Sequence, residues 1–320
     1  MSNEVSRKVR VRRILILLRR LFLPLWSLEG ELQGDRLRLL VAADRDTASY
    51  LGSMAFDSES SMSRKGLFPV LKASRLVESQ ADVVIVVINH HLRGYYQRRG
   101  FYILPEWSRQ LLHMPGSPDE FVAGLGKSAR AHIRKAVLRW PDYEITTDTQ
   151  ALEQFYNTMY RPYALQRFGP MAGVSICKKL KEALQIGALI LMKSQGRPVS
   201  GAVIVHDGST LYMPFSGVLP EGIVEARQGA KTALYYYALQ QAHRWGCTEI
   251  DLGHSRPFLS DGILNFKLQW GASVLDDDDG STSFAIAAPS LTDPARKFFA
   301  ANRFYHVRDE QMQLLDEGEM

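Results

Sequence analysis

The sequence predicts a mixed α/β protein, and three observations carry that prediction. Two aliphatic runs, Leu37–Ala43 and Asp82–Ile88, are typical of buried strands. The segment Lys127–Trp140 has the helical spacing of an amphipathic helix. The stretch Leu211–Ala272 reads as a strand, a glycine-containing loop, a helix and a second strand. Helices and strands in this order favour an α/β or α+β sheet fold.

Composition is that of a globular protein. The chain has 320 residues, of which 46% are hydrophobic and 23% charged. These values are close to globular averages, so a packed core is expected. The length suits one large domain or two ordinary ones.

The net charge of +5 is concentrated at the N-terminus. Within the first twenty residues lie seven cations: Arg7, Lys8, Arg10, Arg12, Arg13, Arg19 and Arg20. The rest of the chain is therefore close to neutral. Whole-chain charge gives little support to a nucleic-acid partner.

The two cysteines, Cys177 and Cys247, have neither metal nor redox spacing. Histidines and carboxylates form no cluster with ligand spacing either. The sequence thus predicts no metal site and a reducing, cytoplasmic setting.

The N-terminal residues 7–26 alternate basic and aliphatic blocks. Arg19 and Arg20 interrupt the apolar run, which is too short to span a bilayer or to serve as a signal peptide. Two interpretations remain. The favoured one is the first element of an N-terminal domain with its arginines in water. The other is a peripheral segment on an anionic membrane, at its inner face.

Ser58–Ser63 is predicted to be an exposed loop. Further along the chain, a short helix is predicted to run to about Leu125. Ser117 is a plausible N-cap, with Pro118 at N1 and Glu120 at N3. In the helix that follows, Lys127, Arg130 and Arg134 share one outward stripe. This stripe is a candidate site for a phosphate or polyanionic acceptor, and a solvated helix face is the alternative.

A third helix is predicted over Thr149–Phe168, with a kink at Pro162. Its tyrosines include Tyr160 and Tyr163, which are candidates for a substrate cleft, although aromatic stripes more often belong to a core. A hairpin follows, with strands Ala188–Lys193 and Val199–His206.

The stretch Leu211–Ala272 is where chemistry is expected. Leu211–Gly217 is a predicted strand, the helix begins near Ala230, and Thr248–Leu252 is the next strand. Helix starts leave N–H groups unpaired, and Gly229 lets a ligand approach the backbone, as a phosphate-bearing cofactor requires. The same pattern also fits an ordinary strand-to-helix turn.

Two motifs in this region resemble the GNAT-like acyltransferases of the FemAB and BioF2-like (acetyltransferase 6) group. They are Ile250–Ser255, an aspartate-glycine strand end, and Asn265–Ala272, a Phe-Lys helix followed by Trp-Gly-Ala. Lys127–Ala136 resembles the basic helix that precedes the catalytic half of those proteins. The resemblance covers about residues 105 to 290.

The resemblance implies that two central parallel strands splay apart around the pantetheine arm of an acyl-CoA donor. The residues that would contact the donor are Phe215, Ser216, Arg227, Gln228, Gly229, Ala230, Lys231 and Thr232.

Acyl transfer needs a base, a group that stabilises an oxyanion and a proton donor for the leaving group. Lys267, beside Phe266 in the Phe-Lys pair, is the candidate for charge stabilisation, and Phe266 is a candidate substrate contact. Asp251 and His254 are candidate bases, and Tyr212 is the candidate proton donor. The alternatives are a surface lysine, a turn-capping aspartate and an exposed histidine.

The predicted organisation is a basic segment (1–27), a degenerate GNAT-like domain (28–141), a GNAT-like acyltransferase domain (142–290), and a C-terminal helix and tail (291–320). The expected activity is transfer of an acetyl or similar group from acyl-CoA to an amine or hydroxyl of a small molecule or glycan. As the resemblance implies, that acceptor would be a sugar or cell-envelope precursor. The alternatives are a FemX-like transferase using aminoacyl-tRNA, which would need a broad basic surface, and a non-catalytic binding module.

Overall fold

The computed structural model describes residues 21–114, 116–168, 177–220, 228–276 and 282–316. They form two compact units. Unit 1 comprises Met1–Ser108, Ser255–Asn265 and Val274–Met320, and unit 2 comprises Arg109–His254 and Phe266–Ser273. The mixed α/β fold class is the predicted one.

The elements of the first half, in chain order, are β1 (Phe22–Leu32), β2 (Asp35–Ala42), α1 (Arg45–Ala55), β3 (Ser61–Pro69), α2 (Ser74–Val77), β4 (Val83–Asn89), α3 (Arg93–Gln97), β5 (Tyr102–Pro105), β6 (Ser108–His113), α4 (Pro118–Gly124), α5 (Lys127–Arg139), β7 (Tyr143–Thr146), α6 (Thr149–Phe155) and α7 (Arg161–Phe168). Those of the second half are α8 (Cys177–Leu184), β8 (Gly187–Ser194), β9 (Arg197–Asp207), β10 (Thr210–Val218), α9 (Ala230–Arg244), β11 (Glu249–Ser255), α10 (Gly262–Leu268), β12 (Ser273–Asp276), β13 (Thr282–Ala287), α11 (Asp293–Ala301), β14 (Tyr305–Arg308) and β15 (Gln311–Leu314).

The division into units differs from the predicted boundary at residues 141 and 142. Helix α5 stays with unit 2 because its end is tied to α9 and the loop before it. The Tyr237 hydroxyl donates to the Trp140 carbonyl at 3.0 Å, and the Trp140 indole N–H donates to the Gln228 carbonyl at 3.3 Å. Unit 1 in turn includes two later segments of the chain, an arrangement that local sequence patterns do not indicate.

Unit 1 is built on a six-stranded sheet in the order β3-β1-β2-β4-β13-β5. β2 and β4 are parallel, with Leu39–Ala42 paired to Val83–Val86. Alternate residues of β4 enter two separate buried clusters, one on each face of the sheet. Aliphatic side chains on both faces explain why the sequence shows these strands as continuous apolar runs.

The predicted loop at Ser58–Ser63 is wrong in its second half. Ser61 begins β3 and pairs with Glu29 of β1. β3 is an edge strand, so polar side chains are tolerated there without an alternating apolar pattern.

Unit 2 contains β6, β11, β10, β9, β8 and β7, adjacent in that order in one sheet. The predicted hairpin joins β8 to β9, and its turn residues Gln195 and Gly196 have φ of 49° and 75°. Positive φ at both positions is the geometry of a two-residue hairpin turn. Helices α4, α5 and α9 pack in one core cluster, and α6 and α8 in another.

The predicted helix Thr149–Phe168 is interrupted by a π-helical turn at Tyr156–Tyr160. Pro162 lies in the first turn of α7, where its missing N–H is tolerated. The irregularity therefore precedes the proline instead of being a kink at it.

Strands occur near both ends of the described chain. The C-terminal segment is a helix followed by a hairpin, β14–β15, in which Tyr305 pairs with Leu314. Of residues 7–26, the first fourteen lie outside the described residues, while Phe22–Trp26 form part of β1. Among the described residues, no helix is long and apolar enough to cross a bilayer.

Candidate functional site

The parallel strands β10 and β11 of unit 2 are paired over three residues only. Thr210 aligns with Glu249, and Tyr212 aligns with Asp251, where the pairing ends. β10 nevertheless continues to Val218, and β11 continues to Ser255. The two strands thus separate beyond Tyr212 and Asp251, as expected for splayed strands.

The far part of β10 is held by the π-helical turn. A Cβ added to Gly217 would lie 2.6 Å from both the backbone N and the Cα of Tyr160. The Tyr160 ring contacts Phe215 edge-on at 5.5 Å between centroids, and Tyr160 belongs to the core beneath this strand. Tyr160 is therefore a packing residue, the alternative considered for it. Tyr163 is half-buried on α7.

A polar row crosses three strands at the point of separation. The Arg109 Nε on β6 donates to the Asp251 Oδ2 on β11 at 2.6 Å, and the Gly253 N–H donates to the Asp251 Oδ1 at 2.7 Å. Tyr212 on β10 is the register partner of Asp251, so the three side chains share one sheet face. The hydrogen bond to Asp251 raises the pKa of Arg109, and Tyr212 and Glu249 act in the same direction.

Arg109 can donate further hydrogen bonds besides the one to Asp251. Its side chain is 35% exposed, whereas that of Asp251 is 8% exposed. Among the described residues, only the Nε of Arg109 has a partner, so its two terminal NH₂ groups are available. An arginine held through one nitrogen can still bind a carbonyl oxygen or oxyanion through the others.

Lys267 is not the flexible ammonium that the sequence suggested. It is 3% exposed, and its Nζ donates to Gln110 Oε1 at 2.8 Å and to the carbonyls of Gly253 and His254 at 2.8 and 3.0 Å. Three acceptors match its three protons. Lys267 thus fixes the end of β11 to β6.

Lys267 and Asp251 also lie on opposite faces of the sheet. Gln110 and Leu112 alternate with Arg109 along β6, and Leu112 belongs to the core that contains α9. Lys267, the candidate for charge stabilisation, therefore does not share a sheet face with Asp251, one of the candidate bases. The His254 side chain is exposed at the end of β11.

Gly229 is the N-cap of helix α9, and its φ of 101° is left-handed. Helix α5 packs closely against this turn. A Cβ on Gly229 would meet the Ala136 Cβ at 3.0 Å, and His132 Nε2 lies 3.2 Å from Thr232 Oγ1. The first turn is therefore covered on the side that faces α5.

Two of the predicted donor-loop residues remain accessible. Gln228 is exposed and accepts from Arg139 at 2.5 Å, and Lys231 is half-buried, with its Nζ 5.3 Å above the Phe266 ring. Ala230 and Thr232 are buried. Arg227 lies outside the described residues, and Phe215 and Ser216 are half-buried on β10 beyond the point of separation.

The predicted basic stripe on α5 is partly structural. Lys127 and Arg134 are exposed, but Arg130 donates to the Ala123 carbonyl at 2.8 Å and caps the preceding helix. Nearby, an open groove of about 590 Å³ lies between α4 and the residues that follow α10. Its lining is Gly116, Glu120, Phe121, Gly124, Leu125, Trp270 and Gly271.

No metal centre emerges from the part of the chain that the structure describes: no three His, Cys, Asp or Glu side chains there are grouped so as to hold an ion. Sequence reasoning missed Arg109 and Gln110. A polar pair inside a short strand carries no signal by itself, because adjacent residues reach opposite faces.

Part of the chain matches a known protein family. Residues 127–267 match the acetyltransferase 6 family, described as an Acetyltransferase (GNAT) domain. The match spans β10, β11 and the first turn of α9, and it ends at Lys267. The predicted resemblance to this group is confirmed. No curated protein matches the chain.

Solved structures similar to the chain include three named proteins. The crystal structure of FemX is 13% identical over 81% of this chain and 83% of its own, with a TM-score of 0.44. L-PGS from Bacillus licheniformis is 12% identical over 83% and 82%, with a TM-score of 0.38. A putative GNAT-family acetyltransferase from Novosphingobium aromaticivorans is 13% identical over 68% and 79%, with a TM-score of 0.34.

Proposed function

We propose that the protein transfers an acyl group from acyl-CoA to an amine or hydroxyl acceptor, starting from the match of residues 127–267 to the acetyltransferase (GNAT) domain family. The single observation that carries the proposal is the separation of β10 from β11 after Tyr212 and Asp251. Separated strands leave backbone N–H and C=O groups without partners from each other, and these groups suit an extended amide-containing arm.

The donor would lie along the gap with its phosphates towards the start of α9. Gln228 and Lys231 are the accessible polar residues there, and the positive end of the α9 dipole favours an anion. Because α5 covers one side of this turn, the phosphates would approach from the side of Lys231 and Phe266.

The reaction joins the acceptor nitrogen or oxygen to the thioester carbonyl carbon, passes through a tetrahedral oxyanion, and breaks the carbon–sulfur bond. The acceptor loses one proton and the departing CoA thiolate gains one, so the step is balanced. We assign stabilisation of the oxyanion to the terminal NH₂ groups of Arg109, with Asp251 holding the guanidinium. Tyr212, in the same row, is the proton donor to sulfur, and His254 remains the candidate base.

Lys267 takes a positioning role in this scheme. Its ammonium binds both β6 and the carbonyls that end β11, so it fixes the strand that carries Asp251. The acceptor is proposed to be a sugar or cell-envelope precursor, an assignment that rests only on the family resemblance.

A thermal-shift titration tests donor binding. We expect millimolar acetyl-CoA to raise the melting temperature, since a ligand bound only by the folded state stabilises it. Lys231→Glu should weaken this shift without altering the melting temperature of the free protein, and Lys179→Glu, at an exposed position on α8, is the matched control. If no acyl-CoA changes the melting temperature, the proposed CoA-dependent function is ruled out. A shift with aminoacyl-tRNA alone would favour the tRNA-dependent alternative.

Turnover is tested by detecting free CoA thiol with amine and hydroxyl acceptors offered separately. If CoA is released only with amines or only with hydroxyl compounds, that class of acceptor supplies the attacking group. Binding of acetyl-CoA without release in any acceptor pool would support the non-catalytic alternative.

A further inference from the structure

Five exposed hydrophobic residues of unit 1 lie on neighbouring segments of the chain. Of the eleven large hydrophobic residues that are most exposed among the described residues, five lie here: Leu21, Phe22, Leu67, Leu71 and Val77. Leu67 is 60% exposed and Leu71 54%. The Val70 N–H donates to the Leu21 carbonyl at 2.9 Å, and Phe22 pairs with Pro69, which brings the two ends of this set together.

Four exposed cations lie on the same segments of the chain as these apolar residues. Arg64 and Lys65 lie on β3, and Lys72 and Arg75 follow it; all four are exposed. The Lys72 N–H donates to the Pro69 carbonyl at 2.9 Å, and the Arg75 N–H to the Lys72 carbonyl at 3.1 Å, so this turn stays close to the strand end. The sequence from residue 60 to residue 77 contains no Asp or Glu. We call these five apolar residues and four cations the basic-apolar surface.

A neighbouring helix extends the positive charge. The Tyr95 hydroxyl on α3 donates to the Leu71 carbonyl, and the Arg99 guanidinium stacks on the Tyr95 ring at 3.8 Å. Arg98 and Arg99 are both exposed. Among the described residues, none of the cations named here forms an ion pair, although Lys65 adds to the effect of the Arg36 hydrogen bond that lowers the pKa of Glu29.

Protection of a sheet edge does not account for this composition. β3 is the edge strand, and lysines there would discourage pairing with another sheet. Exposed Leu67 and Phe22 would work against such protection. Aliphatic side chains interspersed with cations are instead the composition that enters the headgroup region of an anionic bilayer.

We propose that the basic-apolar surface binds anionic phospholipid bilayers. Residues 7–20, which lie outside the described residues, carry seven cations and lead directly into Leu21 at this surface. The positive charge of the surface complements anionic headgroups, and its leucines and phenylalanine reach the acyl boundary. This inference is independent of acyl transfer, because it uses no residue of unit 2.

Flotation of the full-length protein with vesicles tests the proposal. Vesicles of phosphatidylcholine with one quarter phosphatidylglycerol are compared with pure phosphatidylcholine at 150 mM and 1 M salt. Two variants are needed: R64Q/K65Q/K72Q/R75Q and L67Q/L71Q. The matched control, K178Q/K179Q/R244Q/R296Q, removes four exposed cations elsewhere. Melting temperatures establish that each variant is folded.

We expect binding to anionic vesicles only, with a loss of at least about tenfold in the four-cation variant and none in the control. L67Q/L71Q should lose the binding that survives 1 M salt, because apolar contacts are not screened. Equal binding by the four-cation variant and the control would overturn the proposal, as would binding that disappears only when the cations of residues 7–20 are replaced. Tight binding to an oligonucleotide that L67Q/L71Q leaves unchanged, with no vesicle binding, would also overturn it.

Discussion

The Arg109 guanidinium and the Asp251 carboxylate meet at 2.6 Å across β6 and β11, where β10 separates from β11. The hydrogen bond occupies the Arg109 Nε, and no other described residue bonds its terminal NH₂ groups, while the side chain is 35% exposed. Asp251 is nearly buried and also accepts from the Gly253 N–H. The carboxylate therefore orients an arginine at the point where β10 and β11 separate.

Replacement of Arg109 should abolish most turnover while preserving donor binding. In Arg109→Ala, the oxyanion loses its donors, and we expect kcat to fall by about 10²-fold or more with little change in the acetyl-CoA thermal shift. Arg109→Lys should recover little, because an ammonium cannot bind Asp251 and the substrate with the same fork geometry. Steady-state kinetics measure kcat for both variants. A kcat within threefold of wild type for Arg109→Ala would contradict the role assigned to Arg109.

Asp251→Asn tests the positioning role of the carboxylate. The amide keeps the size of the side chain but removes the charge that holds Arg109, so kcat should fall in parallel with that of Arg109→Ala. In the double variant the effects should be far from additive, since both changes disable one unit. Additive losses would show that the two residues act separately.

Lys267→Met should destabilise the fold. It leaves Gln110 and the carbonyls of Gly253 and His254 without their shared donor in a buried site, at a cost of about 3 kcal/mol. Urea unfolding measures the change, and Lys179→Met on the surface should stay within about 0.5 kcal/mol of wild type. A fully stable Lys267→Met protein with no turnover would instead favour direct participation of the ammonium in chemistry.

Gly229→Ala should destabilise unit 2 for two separable reasons. The residue has φ of 101°, and the new Cβ would lie 3.0 Å from the Ala136 Cβ. Gly246→Ala is the matched control, because its φ is 72° but no atom lies within 4 Å. We expect the control to cost about 1 kcal/mol and Gly229→Ala to cost more. If adding Ala136→Gly to Gly229→Ala recovers none of the difference, the close approach to α5 is not its source.

Gly217→Ala should prevent normal packing of the π-helical turn. The added Cβ would come within 2.6 Å of the Tyr160 backbone, which cannot move aside as a flexible side chain can. We expect a loss above about 3 kcal/mol or insoluble protein, by analogy with overpacked cores. Gly208→Ala, with no atom within 4 Å, should remain soluble and cost about 1 kcal/mol.

Thiol labelling should distinguish the two cysteines. Burial raises the pKa of Cys247, so less thiolate is present at pH 7 to 8, and the side chain is also inaccessible. Cys177 is half-buried and should react first with a disulfide reagent, leaving Cys247 unlabelled until denaturant is added. Rapid modification of Cys247 in Cys177→Ser would contradict the buried placement of Cys247 beside α9.

The sequence predicted most elements of both sheets. Local residue types predict the structure of several segments: the apolar runs at 37–43 and 82–88, the capping box at Ser117 and the turn at Gln195–Gly196. The missed elements lack such signals. β3 is polar on an edge, and the π-helical turn comes from packing of Tyr160 on Gly217.

By itself, the sequence determined the fold class, the order of strand, loop, helix and strand around Gly229, and the likeness to a GNAT acyltransferase domain, because periodicity, glycine placement and short motifs are local properties. Only the tertiary structure decided which polar residues meet. Pairing of β6 with β11 places Arg109 against Asp251, 142 positions away in the chain, while the pleat sends Gln110, the hydrogen-bond partner of Lys267, to the opposite face. Contacts between side chains so far apart in the sequence depend on strand register, which no local pattern specifies.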